Sequence, residues 1–271
     1  SSAASDVYKR QHEGHPPEEV VHDLGDAPDS TNSWNNAPMT AYPPGGPLLG
    51  GVQANFPTVF GAGSPPHGPI HWMPRPIHLG PMVTAPGEIE ADIGPDTDGP
   101  NNIIPPQDQP DLDLGDDGVI FPLNLQWCQQ NQFQYIVTVN NAVMRSMFVN
   151  VWFDWNMDGD WDDTMQCPPA GAKVDEWAVQ NQQVQIPGPG VYTLTTPAFW
   201  ALWPLGPIDW PTDHIWMRIT LSEQPWSPVA GTPGFGGSGP AGGYQYGETE
   251  DYVIPAPPGP ALDLGDAREM G

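Results

Sequence analysis

Positive charge is what this chain has least of. Its 271 residues include 7 Lys plus Arg against 33 Asp plus Glu, a formal net charge of -26. Neutralising nucleic-acid phosphates needs the opposite sign, so nucleic acid is excluded as a partner. An anionic membrane surface is disfavoured for the same reason. With so few internal cations, most carboxylates must face water or hold metal, which suits a soluble protein in an extracellular, salt- or calcium-bathed setting. Cysteine is also scarce, with only Cys128 and Cys167. No neighbouring Cys or His completes a metal site around them. They are a candidate disulfide outside the cell and two free thiols inside it. Long hydrophobic runs are missing as well. No stretch approaches the ~20 apolar residues of a membrane-spanning helix, so no membrane insertion is expected, and no basic-then-apolar leader opens the chain. Residues 1–11 instead read as translated adapter sequence, with the native N-terminus expected to be missing.

What is abundant is proline and glycine. The 37 prolines and 31 glycines make up about a quarter of the chain, which borders on low-complexity composition. They concentrate in residues 12–117, expected to form an irregular Pro/Gly/Asp-rich segment of loops and short extended pieces. Beyond Gly118 the pattern turns to period two. Tyr135, Val137 and Val139 fall on one face of such a segment, as do Met147, Val149, Val151 and Phe153, and again Ile215, Met217, Ile219 and Leu221. Alternation bounded by Pro, Gly and Asn is the signature of strands. The fold class is therefore all-β: an antiparallel β-sandwich, jelly-roll or Ig-like, over residues 118–254, behind an irregular N-terminal half. Asp23-Leu24-Gly25-Asp26-Ala27 recurs as Asp263-Leu264-Gly265-Asp266-Ala267. Residues 255–271 are accordingly read as a linker and the start of a next repeat in a tandem protein.

The densest chemistry lies in Asp154-Trp155-Asn156-Met157-Asp158-Gly159-Asp160-Trp161-Asp162-Asp163. Oxygens at positions 1, 3 and 5 followed by glycine at position 6 form the front half of a calcium loop. Asp154, Asn156 and Asp158 are expected to supply side-chain oxygens, Asp160 a backbone carbonyl, and Asp162 or Asp163 a later carboxylate. Position 12 is Met165 rather than the bidentate Glu of an EF-hand, and a strand rather than a helix precedes the loop. This is an EF-like loop on a β scaffold, with a solvated Asp/Gly turn as the competing reading.

Together with this loop, Gly247-Glu248-Thr249-Glu250-Asp251-Tyr252 resembles the Gly-Glu-Val-Glu-Asp signature of the GEVED domain of bacterial secreted and surface proteins. Asp23-Leu24-Gly25-Asp26-Ala27-Pro28-Asp29 resembles a segment that often precedes that domain, and Asp116-Asp117-Gly118-Val119 its acidic approach to the first strand. The resemblance implies a β-sandwich module of large extracellular proteins, without known catalytic residues. Thr249 departs from the signature valine.

Other constellations are weaker. Asp96 and Asp98 form a candidate second cation site. Glu248 and Glu250 share parity with Tyr252 and Ile254, so all four point to one face. Inward carboxylates need a partner, and Arg218 is expected to form a structural ion pair with them. His67, His71 and His78 have helical spacing for zinc, but the intervening prolines forbid the helix. Trp200 and Trp203 are candidates for stacking on sugar faces. No G-x-S-x-G, P-loop or H-E-x-x-H motif is present. The resulting expectation is a non-catalytic, calcium-braced extracellular structural or adhesion module of a multidomain bacterial surface or secreted protein. Its partners would be neighbouring domains of the same polypeptide and a cell-surface glycan or protein. The alternative is a carbohydrate-binding accessory module of a secreted hydrolase.

Overall fold

A computed structural model describes residues 22–30, 40–42, 51–60, 67–83, 116–169, 171–202, 214–228 and 236–255. Asp96, Asp98, Trp203 and the second pentapeptide at 263–267 lie outside them. The described residues form strands and no helix. In the N-terminal half these are β1 (Asp23–Leu24), β2 (Thr40–Tyr42), β3 (Val52–Gln53), β4 (Ile70–His71) and β5 (Ile77–Leu79). Then follow β6 (Gln130–Asn131), β7 (Gln134–Val139), β8 (Ser146–Phe153), β9 (Thr164–Gln166) and β10 (Lys173–Asp175). The last five are β11 (Trp177–Gln185), β12 (Gly190–Thr195), β13 (Phe199–Trp200), β14 (His214–Ser222) and β15 (Gly247–Pro255).

Two antiparallel sheets organise them, in the orders β11-β8-β14-β15 and β12-β7-β5. The period-two segments become their inner faces. Val149, Val151 and Phe153 lie opposite Leu221, Ile219 and Met217 in register. All six are fully buried and share one core with Tyr135, Val137 and Val139 of the smaller sheet. Burying an apolar side chain of this size contributes about 1.5–3 kcal/mol, so these paired rows dominate the cohesion of the sandwich. The Tyr135 hydroxyl donates to Gln182 Oε1 at 3.0 Å, tying β7 to the edge strand β11. Cys128 and Cys167 form a disulfide, with Cα atoms 5.5 Å apart. That bond indicates an oxidising environment. Among the described residues, no helix is long and apolar enough to cross a membrane.

The outer face of the larger sheet is buried too. Trp152, Trp216 and Arg218 project from it, yet none is more than 1% exposed. The N-terminal strands cover it: Trp216 Nε1 donates to the Ala41 carbonyl at 3.0 Å, and β1 and β4 pack against β15. Of the described Pro/Gly-rich half, β1–β4 therefore form a covering layer with buried side chains of its own, such as Ala41 and Phe56, while β5 joins the smaller sheet with Ile77 opposite Val139.

This second layer changes the partner of Arg218. Glu250 lies opposite Ile219 and Glu248 opposite Leu221, on the inner face, whereas Arg218 lies opposite Asp251 on the outer one. Side chains alternate across a strand, so the expected pairing of Arg218 with Glu248 and Glu250 does not form. Asp251 is its carboxylate instead, with Nε to Oδ1 at 2.6 Å and Nη2 to Oδ2 at 2.5 Å. The remaining donors reach Thr58 Oγ1 at 2.9 Å, the Gly237 carbonyl at 2.8 Å and the Pro57 carbonyl. All five guanidinium N–H groups are thus engaged. The inward Glu250 accepts from the backbone N–H of Gly118 at 2.8 Å and from the Tyr252 hydroxyl at 2.9 Å. Parity placed the two glutamates correctly, but backbone donors and a hydroxyl serve Glu250 where a guanidinium was expected.

Candidate metal centre

The acidic loop leaves the sheet at the end of β8. Asp154 still bonds to β14, its N–H donating to the Trp216 carbonyl at 3.0 Å. From there two tryptophans hold the loop. Trp155 stacks on Phe153 with ring centres 4.4 Å apart, and Trp161 lies 4.2 Å from Phe56. Both are essentially inaccessible. Gly159 has φ +91°, and a Cβ there would stand 2.1 Å from the Gln53 carbonyl. Only glycine accepts that conformation and that approach together. The Gly159 carbonyl accepts from Asn55 N–H at 2.7 Å, so the turn is clamped by the N-terminal layer.

Within this frame Asp154 is fully buried. Its Oδ1 accepts from the N–H of Asp158 at 3.1 Å and its Oδ2 from that of Gly159 at 2.9 Å. The Tyr42 hydroxyl donates to it as well. The third carboxylate of the centre is one the sequence reading missed. Glu176, between β10 and β11, is fully buried and returns to the loop. It accepts from Trp155 N–H at 3.1 Å and from Asp163 N–H at 2.9 Å. Asp154, Asp158 and Glu176 each offer an oxygen, and these oxygens lie within 4.8 Å of one another. Ligands ~2.4 Å from a common calcium ion span up to about that distance.

The other expected ligands make further contacts around the cluster. Asn156 Nδ2 donates to Asp158 Oδ2 at 2.8 Å and to Asp163 Oδ2 at 2.6 Å, so Asn156 braces the two acids. Asp160 Oδ1 accepts from Asp162 N–H at 3.1 Å. Asp162 turns away, its Oδ1 accepting from Gly236 N–H at 2.8 Å. Trp200 is half-buried against the core. His67, His71 and His78 bond to the separate carbonyls of Phe60, Tyr246 and Leu79.

Electrostatics set this cluster apart. Burial, then the Asp158 charge, raises the Asp154 carboxyl to about 8. Burial, then the Asp154 charge, raises Glu176 to about 10. Burial, with Asp160 beside it, raises Asp158 to about 6. Among the described residues no lysine or arginine pairs with any of the three. Near neutral pH the Asp154 and Glu176 carboxyls therefore stay largely protonated unless a cation neutralises them. An all-oxygen donor set suits a hard divalent ion such as calcium.

A closing acid was legible only as a gap. Met165 stands where an EF-like loop would end, and Glu176, eleven residues later and between β10 and β11, brings a carboxylate to the same cluster.

Residues 148–255 match the family model of the GEVED domain. The match takes in β8, the acidic loop, Glu176 and β15, and stops short of the Asp23–Asp29 segment. No curated protein and no solved structure matches the chain.

Proposed function

We propose that this chain is a non-catalytic, calcium-braced structural or adhesion module of a larger extracellular protein. The observation that carries the reading is the Asp154–Asp158–Glu176 cluster, buried in large part and, among the described residues, without a cationic side chain of its own. Calcium would join the loop after β8 to the start of β11 and, through Tyr42, to the N-terminal layer. Stiffening that end of the sandwich is a mechanical task, in keeping with a GEVED domain and with an oxidising milieu. The partners would be neighbouring domains of the same polypeptide and a surface glycan or protein. Calorimetric titration of the chelator-treated protein with calcium tests this. Saturable binding, lost in Glu176→Gln, is expected; a flat titration would reject calcium bracing.

A carbohydrate-binding module is the second reading, favoured by one feature. A cavity of about 280 Å³ beside the acidic loop is lined by Trp152, Trp161, Trp177 and Trp226. The indole N–H groups of Trp152 and Trp161 are buried without a hydrogen-bond partner. Alone of the four, Trp177 is more than slightly exposed, and an aromatic face of that kind suits a sugar ring. Retention on insoluble polysaccharides, abolished by Trp177→Ala, would support it; equal retention of that variant would not.

A further inference from the structure

The pentapeptide that occurs twice in the chain has, at its first occurrence, a defined seat. Asp23 and Leu24 form β1 and pair with His71 and Ile70 of β4. Asp23 Oδ2 accepts from the N–H of Thr249 at 2.7 Å. Asp251 Oδ2, already held by Arg218, accepts from the N–H groups of Asp26 at 3.0 Å and Ala27 at 2.9 Å. A Cβ on Gly25 would stand 2.5 Å from Arg218 Nη2 and 2.6 Å from Asp251 Oδ2, so the ion pair accepts glycine alone at this point. Leu24 and Ala27 are 3% and 0% exposed. Each of these contacts depends on the type of residue: a carboxylate, a buried leucine, a glycine, and a small residue whose backbone faces Asp251.

Asp263-Leu264-Gly265-Asp266-Ala267 repeats all five residues in order. We infer that this second copy is an interchangeable docking strap, able to occupy the groove formed by β4, Arg218, Thr249 and Asp251 in place of residues 23–27. The partner it fits is the same groove on a sandwich of this kind, whether its own, that of a second copy of this chain, or that of a neighbouring unit. Modules would then be joined by a short peptide from one inserted beside the Arg–Asp pair of another. The groove is built from residues outside the strap, so its recognition elements persist when residues 23–27 leave. The resident strap holds it against competitors through the high effective concentration of a tethered segment. This inference is independent of the cation site.

The test uses the full chain carrying Gly25→Val and Gly265→Val, which disables both copies, and a fluorescent peptide spanning residues 259–271 as probe. The native peptide is expected to bind the double variant at least about tenfold more tightly than the wild-type chain, whose groove is filled, and to raise its melting temperature. A peptide carrying Gly265→Val is expected to do neither. Asp23→Ala with Gly265→Val removes one strap contact without a clash, and serves if the valine at 25 prevents folding. The inference is overturned if the folded variants ignore the native peptide, or if both peptides bind alike.

Discussion

Two clusters of buried acid lie on neighbouring parts of one sheet and are neutralised in opposite ways. Asp251 is fully buried and faces Arg218, whose five N–H groups are all used. Asp154 and Glu176 are as inaccessible, yet their partners are backbone N–H groups, the Tyr42 hydroxyl and each other. The first cluster carries its counter-charge in the chain. Among the described residues the second has none, and burial, with the neighbouring carboxylates, drives Asp154 and Glu176 far above their ordinary range. A protein with 7 Lys plus Arg uses one of them to lock the covering layer to the sheet. On the proposed reading, the counter-charge of the loop is a calcium ion.

The sharpest way to break this contrast is Arg218→Leu. It strands Asp251 in the interior and detaches Pro57, Thr58 and Gly237, so urea unfolding should show a loss of about 3–5 kcal/mol whether or not calcium is present. Calcium itself should act only at the other cluster. At 100 times its Kd it should add ~2.7 kcal/mol to the wild type, measured against the chelated protein. Glu176→Gln separates the two more finely. It should erase that increment, while in chelator the variant should lose only about 1 kcal/mol, because the amide nitrogen cannot accept one of the two backbone N–H bonds, from Trp155 and Asp163, that Glu176 now receives. A calcium increment that survives in the variant would mean the ion is not held through Glu176. The smallest effect is expected from Tyr42→Phe. Losing the hydroxyl that donates to Asp154 and accepts from Trp216 N–H should cost about 1 kcal/mol, and calcium titration should show a modestly weaker site.

How far the sequence foretold this differs between the clusters. The strands were legible because Val149, Val151, Phe153, Met217, Ile219 and Leu221 obey a local two-residue period. Asp154 and Asp158 were legible because loop ligands are close in sequence and glycine marks the turn. Glu176 was not, since it reaches the loop through the return of the chain by β9 and β10, a tertiary relation with no local spacing. The partner of Arg218 was misassigned for a related reason. Parity gave the correct face for Glu248 and Glu250, but only the register of β14 against β15 reveals that Asp251 shares the side of Arg218. The disulfide between Cys128 and Cys167 needed the same long-range information, because bonding depends on Cα separation rather than on residue type.

The most direct test of a loop assembled for a cation is the pH dependence of unfolding free energy, with and without calcium. Asp154 and Glu176 are raised from 3.8 to about 8 and from 4.5 to about 10 in the ion-free fold. The folded state then binds these protons more tightly than the unfolded chain. Their contribution is complete below about pH 4 and is lost as pH rises through those values. Calcium requires the ionised forms, so its increment should grow over the same range. The account predicts stability that falls from pH 5 to pH 9 in chelator and is progressively restored by calcium. Parallel curves, with calcium adding nothing at either end, would contradict it.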